Sequence, residues 1–199
     1  MPTVYLSPST RQFNQGYGTF GTEEERMNLI ADIVELELVR NGVTTLRNNP
    51  AYYISAVVSD ANTKGGFIYV AIRSLPCIRG AEGTRVLYFR DGSNGQRLAE
   101  QIYTQLSVLT PTQDRGTEDG GEAFGGQGFY ELRRTRAPAV IVDLGCHNDP
   151  VQADFIVRNV FDIGVSIARG ILTYFGLPYT PLDPEQEQRF RNEYNAIFL

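Results

Sequence analysis

Apolar residues along the chain recur with two different periods, and each period predicts one type of element. Residues at helical spacing predict helices, of which the first opens with a capping box formed by Thr22 and Glu25. The other helices are predicted at Ala51–Asn62, Asn94–Leu106 and Gln152–Phe175. Short apolar runs predict strands at Thr3–Leu6, Val43–Leu46, Phe67–Ile72, Thr84–Phe89 and Ala139–Leu144. This alternation predicts one α/β domain, residues 1–176, with a mainly parallel, twisted sheet flanked by helices on both faces.

Two segments fall outside the alternation. Residues Gly116–Gly128 contain six glycines and three acids, which predicts a flexible loop, and no Gly-Lys-Ser/Thr follows to make it a phosphate-binding loop. Residues 177–199 form a C-terminal extension, for which we predict an amphipathic helix docked on the domain or on a partner. Its apolar face consists of Phe190, Tyr194, Ile197 and Phe198.

The composition of the chain argues against several classes of protein. The chain has 199 residues, 42% of them apolar, which suits one globular domain. Its net charge of −5 argues against a nucleic-acid partner. No run of about 18 apolar residues predicts a transmembrane segment, and the first residues lack the pattern of a secretory signal. The only two cysteines, Cys77 and Cys146, predict reduced thiols and no disulfide framework.

The stretch Tyr130–Pro150 carries the strongest chemical signal. A basic segment precedes a buried strand that ends at Asp143, and a polar loop with His147 and Asn148 follows. The basic residues are Arg133, Arg134 and Arg136. Open α/β sheets place their chemistry at the carboxyl ends of the strands, so Asp143 is a candidate functional residue.

This stretch, YELRRTRAPAVIVDLGCHNDP, and the segment EEERMNLIAD at Glu23–Asp32 resemble the zinc-dependent N-acetylmuramoyl-L-alanine amidases of family three. Those enzymes cut the lactyl-amide bond of peptidoglycan, and the resemblance covers about Thr3–Phe175. It implies the family's fold and a peptidoglycan fragment or muropeptide as ligand. It also implies a catalytic position at Asp143, where the family has Glu. The residues placed at substrate-binding positions are Arg133, Arg134, His147 and Asn148.

The resemblance implies a metal site of two His and one Glu, which this chain does not reproduce. Glu24 matches the Glu ligand because Asn28 follows it by four residues, but Thr10 and Arg73 stand at the two His positions. The sequence contains one histidine, so one chain cannot supply two. We therefore expect no cofactor, or zinc only in an altered site. Arg73 is expected to replace the missing cation and to pair with Glu24, Asp143 or both.

Three functional hypotheses follow. The first is a catalytically degenerate, amidase-like protein that binds peptidoglycan fragments or a cell-wall enzyme. The second is an active peptidoglycan amide hydrolase with an altered metal site, and the third is a structural or assembly module. The resemblance implies a bacterium or its phage. Because no signal is recognised, we expect either the cytoplasm or release without a classical signal to act at the cell wall.

Overall fold

A six-stranded sheet forms the centre of the molecule. The computed structural model of the protein describes residues 1–76, 83–90, 93–110 and 115–196. The strands are β1 Thr3–Pro8, β2 Thr44–Arg47, β3 Ile68–Leu75, β4 Arg85–Tyr88, β5 Gly116–Asp119 and β6 Ala139–Cys146. Their order is β2-β1-β3-β6-β4-β5, and every neighbouring pair is parallel except β4 and β6. The predicted α/β domain with a mainly parallel sheet is confirmed.

The helices are α1 Glu23–Arg40, α2 Ile54–Lys64, α3 Asn94–Leu106, α4 Ala123–Gly126, α5 Tyr130–Arg134, α6 Pro150–Arg158, α7 Val160–Phe175 and α8 Pro184–Ala196. The predicted capping box begins α1: the Thr22 hydroxyl accepts the Glu25 N–H, and the Glu25 carboxylate accepts the Thr22 N–H. The single long helix predicted before Phe175 is two helices. They meet at Asn159, whose backbone leaves the helical conformation (φ −118°, ψ 21°) and whose side-chain amide donates to the Phe155 carbonyl at 2.7 Å.

The two faces of the sheet are covered unequally. Helices α1, α3, α6 and α7 pack on one face, against residues such as Leu6, Ile72 and Val142. The smaller helices α2 and α5 pack on the other face, against Ala71 and Ile141. Because successive strand residues point to opposite faces, a central strand covered on both sides is apolar throughout. The smaller face leaves room for a groove at the carboxyl ends of the strands.

The glycine-rich segment Gly116–Gly128 is not the structureless loop that its composition predicts. It contains edge strand β5, a 3-10 turn at Gly120–Glu122 and the short helix α4. The strand was missed because an edge strand with partly exposed side chains has no apolar signature. Arg85 of β4 secures it through an ion pair of 2.7 Å with Glu118.

The C-terminal helix α8 lies against α7. Phe190 and Tyr194 pack on the core, and the Arg191 guanidinium contacts both carboxylate oxygens of Asp162 at 2.6 Å. Ile197 and Phe198 of the predicted apolar face lie outside the described residues. None of the helices in the described ranges is long and apolar enough to span a membrane.

Candidate functional site

Strand alternation places a row of polar side chains at one edge of the smaller face. Ser7, Arg73 and Asp143 continue the apolar rows of β1, β3 and β6 to the carboxyl ends of these strands, where Arg73 and Asp143 are register partners. Helix α5 and the segment before α2 form the walls of a groove with a volume of about 400 Å³. A narrow cavity of about 50 Å³, also lined by Arg73, extends to Asp143.

The central contact of the groove is a buried ion pair between Arg73 and Glu131. Their nitrogen and oxygen lie 2.9 Å apart, and the side chains are 12% and 7% exposed. Arg73 also donates to the Ser7 and Ile72 carbonyls, and the Tyr69 hydroxyl donates to the same Glu131 oxygen. Burial alone lowers the pKa of Arg73, but the charge of Glu131 outweighs this effect and raises it overall.

The ion pair corrects one expectation. Arg73 turns into the groove, but its partner is Glu131 of α5 rather than Glu24 or Asp143. Asp143 pairs instead with Arg85 of β4 at 2.9 Å, and its other oxygen accepts the Gly145 N–H. The physical reason is the position of Arg85: antiparallel pairing of β4 with β6 sets it directly opposite Asp143.

Asp143 is almost fully buried, and burial is the dominant influence on its charge. The loss of solvation raises the pKa of Asp143 to about 6, although the Arg85 guanidinium opposes this shift. Arg85 simultaneously contacts Glu118, which contacts Arg115 at 2.9 Å. The carboxylate at the family's catalytic position is therefore one member of a chain of alternating charges, with both of its oxygens already accepting hydrogen bonds.

Glu24, the one retained metal ligand by sequence register, is not the acid that faces the sheet. Its carboxylate forms no hydrogen bond or ion pair with the residues that the structure describes. The neighbouring Glu23 is buried, accepts from the Asn14 side chain at 2.7 Å and accepts from the Ser74 N–H at 3.4 Å. A shift of one residue turns a helical side chain by about 100°, so the sequence register alone did not settle which acid points inward.

His147 and Asn148 do not line the groove. The His147 ring is buried, its Nδ1 lies 2.9 Å from the Ser74 hydroxyl, and it packs on Phe20. Burial lowers its pKa. Ser74 points to the face opposite Arg73, which explains why His147 is separated from the groove. Asn148 is exposed in the turn after β6. Neither residue lines the groove, and their substrate-binding role stays a prediction.

The expectation of two reduced thiols is wrong for Cys146, which is disulfide-bonded and buried. The sequence contains one other cysteine, Cys77, which lies outside the described residues. Spacing in the sequence gave no indication of a bond, because two cysteines separated by 68 intervening positions form no recognised motif.

The groove has an aromatic rim that sequence reasoning did not identify. Thr10 and Arg73, which were predicted to stand at the two His positions of one metal site, both line the groove. Around them stand Tyr52, Tyr53 and Tyr130, of which Tyr53 is 86% exposed. Exposed rings of this kind do not belong to the core, and their clustering is visible only when the chain is folded.

Comparison with known proteins agrees with this geometry. The family profile described as N-acetylmuramoyl-L-alanine amidase matches residues 15–173. The chain belongs to this family. A probable cell wall amidase, LytH of Staphylococcus saprophyticus, is 26% identical over 182 residues, which span 87% of this chain and 58% of that protein. This chain thus spans little more than half the length of that relative.

Solved structures of the family have the same fold. The amidase AmiC2 of Nostoc punctiforme superposes with a TM-score of 0.72 at 22% identity, covering 88% of this chain and 97% of that one. The catalytic domain of CwlV from Paenibacillus polymyxa also gives 0.72, at 19% identity, with 89% and 100% covered. The CwlD amidase of Clostridioides difficile, solved in complex with the GerS lipoprotein, gives 0.69 at 13% identity, with 88% and 99% covered.

The residues present do not fit the zinc site that the family resemblance implies. Catalytic zinc needs three protein donors such as His, Cys or carboxylate. A hydroxyl, Thr10, and a cation, Arg73, stand where the family resemblance implies the two His ligands, and a guanidinium repels a metal ion. Across residues 1–76, 83–90, 93–110 and 115–196, no three such donors are grouped to hold a metal. The acid nearest to Arg73, Glu131, is already neutralised by it.

Glu131 and Arg85 are the site residues that sequence reasoning missed. Arg73, at the end of the otherwise apolar strand β3, correctly predicted an acidic partner nearby. The sequence offered Glu24 and Asp143 as the acids because the family motifs contain them. Glu131 belongs to a different element, the short helix α5, whose Leu132 packs on the sheet.

Proposed function

We propose that this amidase-like chain binds peptidoglycan fragments in its groove without hydrolysing them and without a metal cofactor. One observation carries the proposal: each acid in the groove is bound by an arginine, Glu131 by Arg73 and Asp143 by Arg85. A carboxylate held by a guanidinium is a weak metal ligand, because its negative charge is already compensated.

The groove has the size and chemistry of a ligand site. Its volume of about 400 Å³ falls within the range of about 300–1,000 Å³ that is usual for small-molecule sites. The tyrosines of the rim offer apolar ring faces and polar hydroxyls, a combination that suits sugar rings. Family membership makes a muropeptide, which joins sugar and peptide, the natural ligand to test.

The first experiment measures zinc per chain in protein purified without chelator, soaked in zinc and desalted. We expect close to zero, together with no release of peptide from peptidoglycan. About one zinc per chain that is lost in Glu24→Ala, with hydrolysis of peptidoglycan, would establish the active amide hydrolase instead and would refute the proposal.

The second experiment measures muropeptide binding by calorimetry. Tyr53→Ala should weaken binding by roughly tenfold, because an exposed aromatic contact contributes about 0.5–1.5 kcal/mol beyond its area. Phe67→Ala is the matched control: Phe67 is also an exposed aromatic residue, but it lies at the other end of β3. Equal affinities for wild type and Tyr53→Ala would show that the tyrosine rim does not contact the ligand. No binding by wild type would refute the proposed function.

We further infer that the chain acts outside the cytoplasm. The disulfide at Cys146 supports this inference, because such bonds persist mainly in oxidising compartments. Fractionation of the native host followed by mass spectrometry of the thiol state tests it. Recovery of the protein in the cytoplasm with Cys146 reduced would contradict the inference.

A further inference from the structure

A second pocket adjoins the groove and differs from it in chemistry. It has a volume of about 530 Å³ and lies between α2 and the segment around α5, with Tyr130 belonging to both pockets. Its lining residues are Ser55, Val58, Ser59, Asn62, Thr63, Tyr130, Arg134 and Arg136. The lining therefore contains two guanidinium groups and no carboxylate.

One wall of this pocket is a row of hydroxyl groups. Ser55, Ser59 and Thr63 stand four residues apart on α2, so they lie on one face of the helix. Asn62 fixes the opposite wall, since its amide nitrogen donates to the Arg134 carbonyl at 3.0 Å and its oxygen accepts the Arg136 N–H at 2.8 Å. The backbone that carries both arginines is thus tied to α2.

The two arginines have no partner for their charge. Among the residues that the structure describes, neither the Arg134 nor the Arg136 guanidinium makes an ion pair or a hydrogen bond. The acids on the adjoining elements form ion pairs with other residues: Asp60 with Lys64 at 2.8 Å, and Glu131 with Arg73. An anion entering the pocket would find two cationic groups and the hydroxyl groups of Ser55 and Ser59, since the Thr63 hydroxyl already donates to the Ser59 carbonyl at 2.8 Å.

We propose that this pocket is a carboxylate subsite, which binds an acidic group of a peptide whose sugar portion lies in the groove. The proposal rests on the proposed function and deepens it, because Tyr130 at the junction allows one ligand to occupy both pockets. Arginine suits this task because its planar fork binds a carboxylate through two parallel hydrogen bonds. The discriminating group of the ligand is a free carboxylate of the peptide, not its sugar.

The test compares a muramyl tripeptide that has free carboxylates with the same compound amidated at each of them, by calorimetry on the full chain. We expect the acid to bind about tenfold more tightly than the amide, the order of effect for hydrogen bonds to a charged group. Arg134→Gln and Arg136→Gln should each weaken acid binding about tenfold and leave amide binding unchanged. Arg189→Gln is the matched control, because Arg189 is also an exposed arginine but lies on α8 and lines neither pocket.

The outcomes separate this inference from the proposed function. Equal binding of acid and amide by wild type would overturn the subsite and leave the groove intact. Equal weakening by Arg189→Gln and Arg134→Gln would also overturn the subsite, because it would indicate a diffuse charge effect. Failure of wild type to bind either compound would overturn both proposals. Circular dichroism of each variant checks that these exposed substitutions leave the fold unchanged.

Discussion

Replacing Glu131 with Gln tests the ion pair at the centre of the groove. The amide has the shape of the carboxylate and keeps an acceptor for the Tyr69 hydroxyl, so the variant removes charge and little else. Arg73 would then remain buried without its ion-pair partner, and its hydrogen bonds would go to neutral acceptors such as the Ser7 and Ile72 carbonyls. Leaving one member of a buried pair uncompensated costs about 3–5 kcal/mol. Because those carbonyls still accept from Arg73, we expect about 3 kcal/mol.

Urea denaturation followed by circular dichroism measures this loss as a lower midpoint at unchanged slope. The same loss corresponds to a melting temperature lower by roughly 6–12 °C, since 1 kcal/mol shifts a domain of this size by about 2–4 °C. The double variant Arg73→Met with Glu131→Gln should recover much of the stability, because it removes the stranded charge as well. A coupling energy of about 2 kcal/mol between the two sites is expected.

Arg158→Gln is the control for this measurement. Its ion pair with Asp154 has a similar length of 2.8 Å, but both side chains are more than half exposed. Exposed pairs are worth about 0.2–1 kcal/mol or nothing measurable, so the unfolding free energy should hardly change. If Glu131→Gln changed stability as little as Arg158→Gln, the buried pair would not be the structural element that we describe.

Three further predictions concern stability. Since burial raises the pKa of Asp143 to about 6, the folded state binds its proton more tightly than the unfolded state, and wild type should lose stability as pH rises from about 4 to 6. The unfolding free energy of Asp143→Asn minus that of wild type should therefore rise over this range, whatever its sign at pH 4, and a constant difference would contradict this. Burial lowers the pKa of His147, so wild type should lose stability as pH falls below about 6.5, and His147→Gln should lose less. If His147→Gln had the same pH profile as wild type, His147 would not be the cause. Thr22→Ala should cost about 1 kcal/mol in a urea melt by removing the cap of α1, and an unchanged midpoint would show that the capping box contributes nothing.

The sequence predicted most of the fold because its evidence for the fold is local. The capping box at Thr22 begins α1, and the apolar run in β3 reports burial on both faces without reference to other elements. Elements without such signatures were missed. Edge strand β5 has partly exposed side chains and no apolar pattern, and the break at Asn159 is a change of backbone conformation at a single residue.

The sequence by itself also determined that one histidine cannot serve as two, whereas the assignment of Thr10 and Arg73 to the two family His positions stays a prediction. Only the tertiary structure decided which charges compensate one another. Arg73 meets Glu131 because α5 packs over the end of β3, and Asp143 meets Arg85 because β4 runs antiparallel to β6. Charge pairing depends on distances of a few ångströms between elements far apart in sequence, and local patterns do not contain those distances.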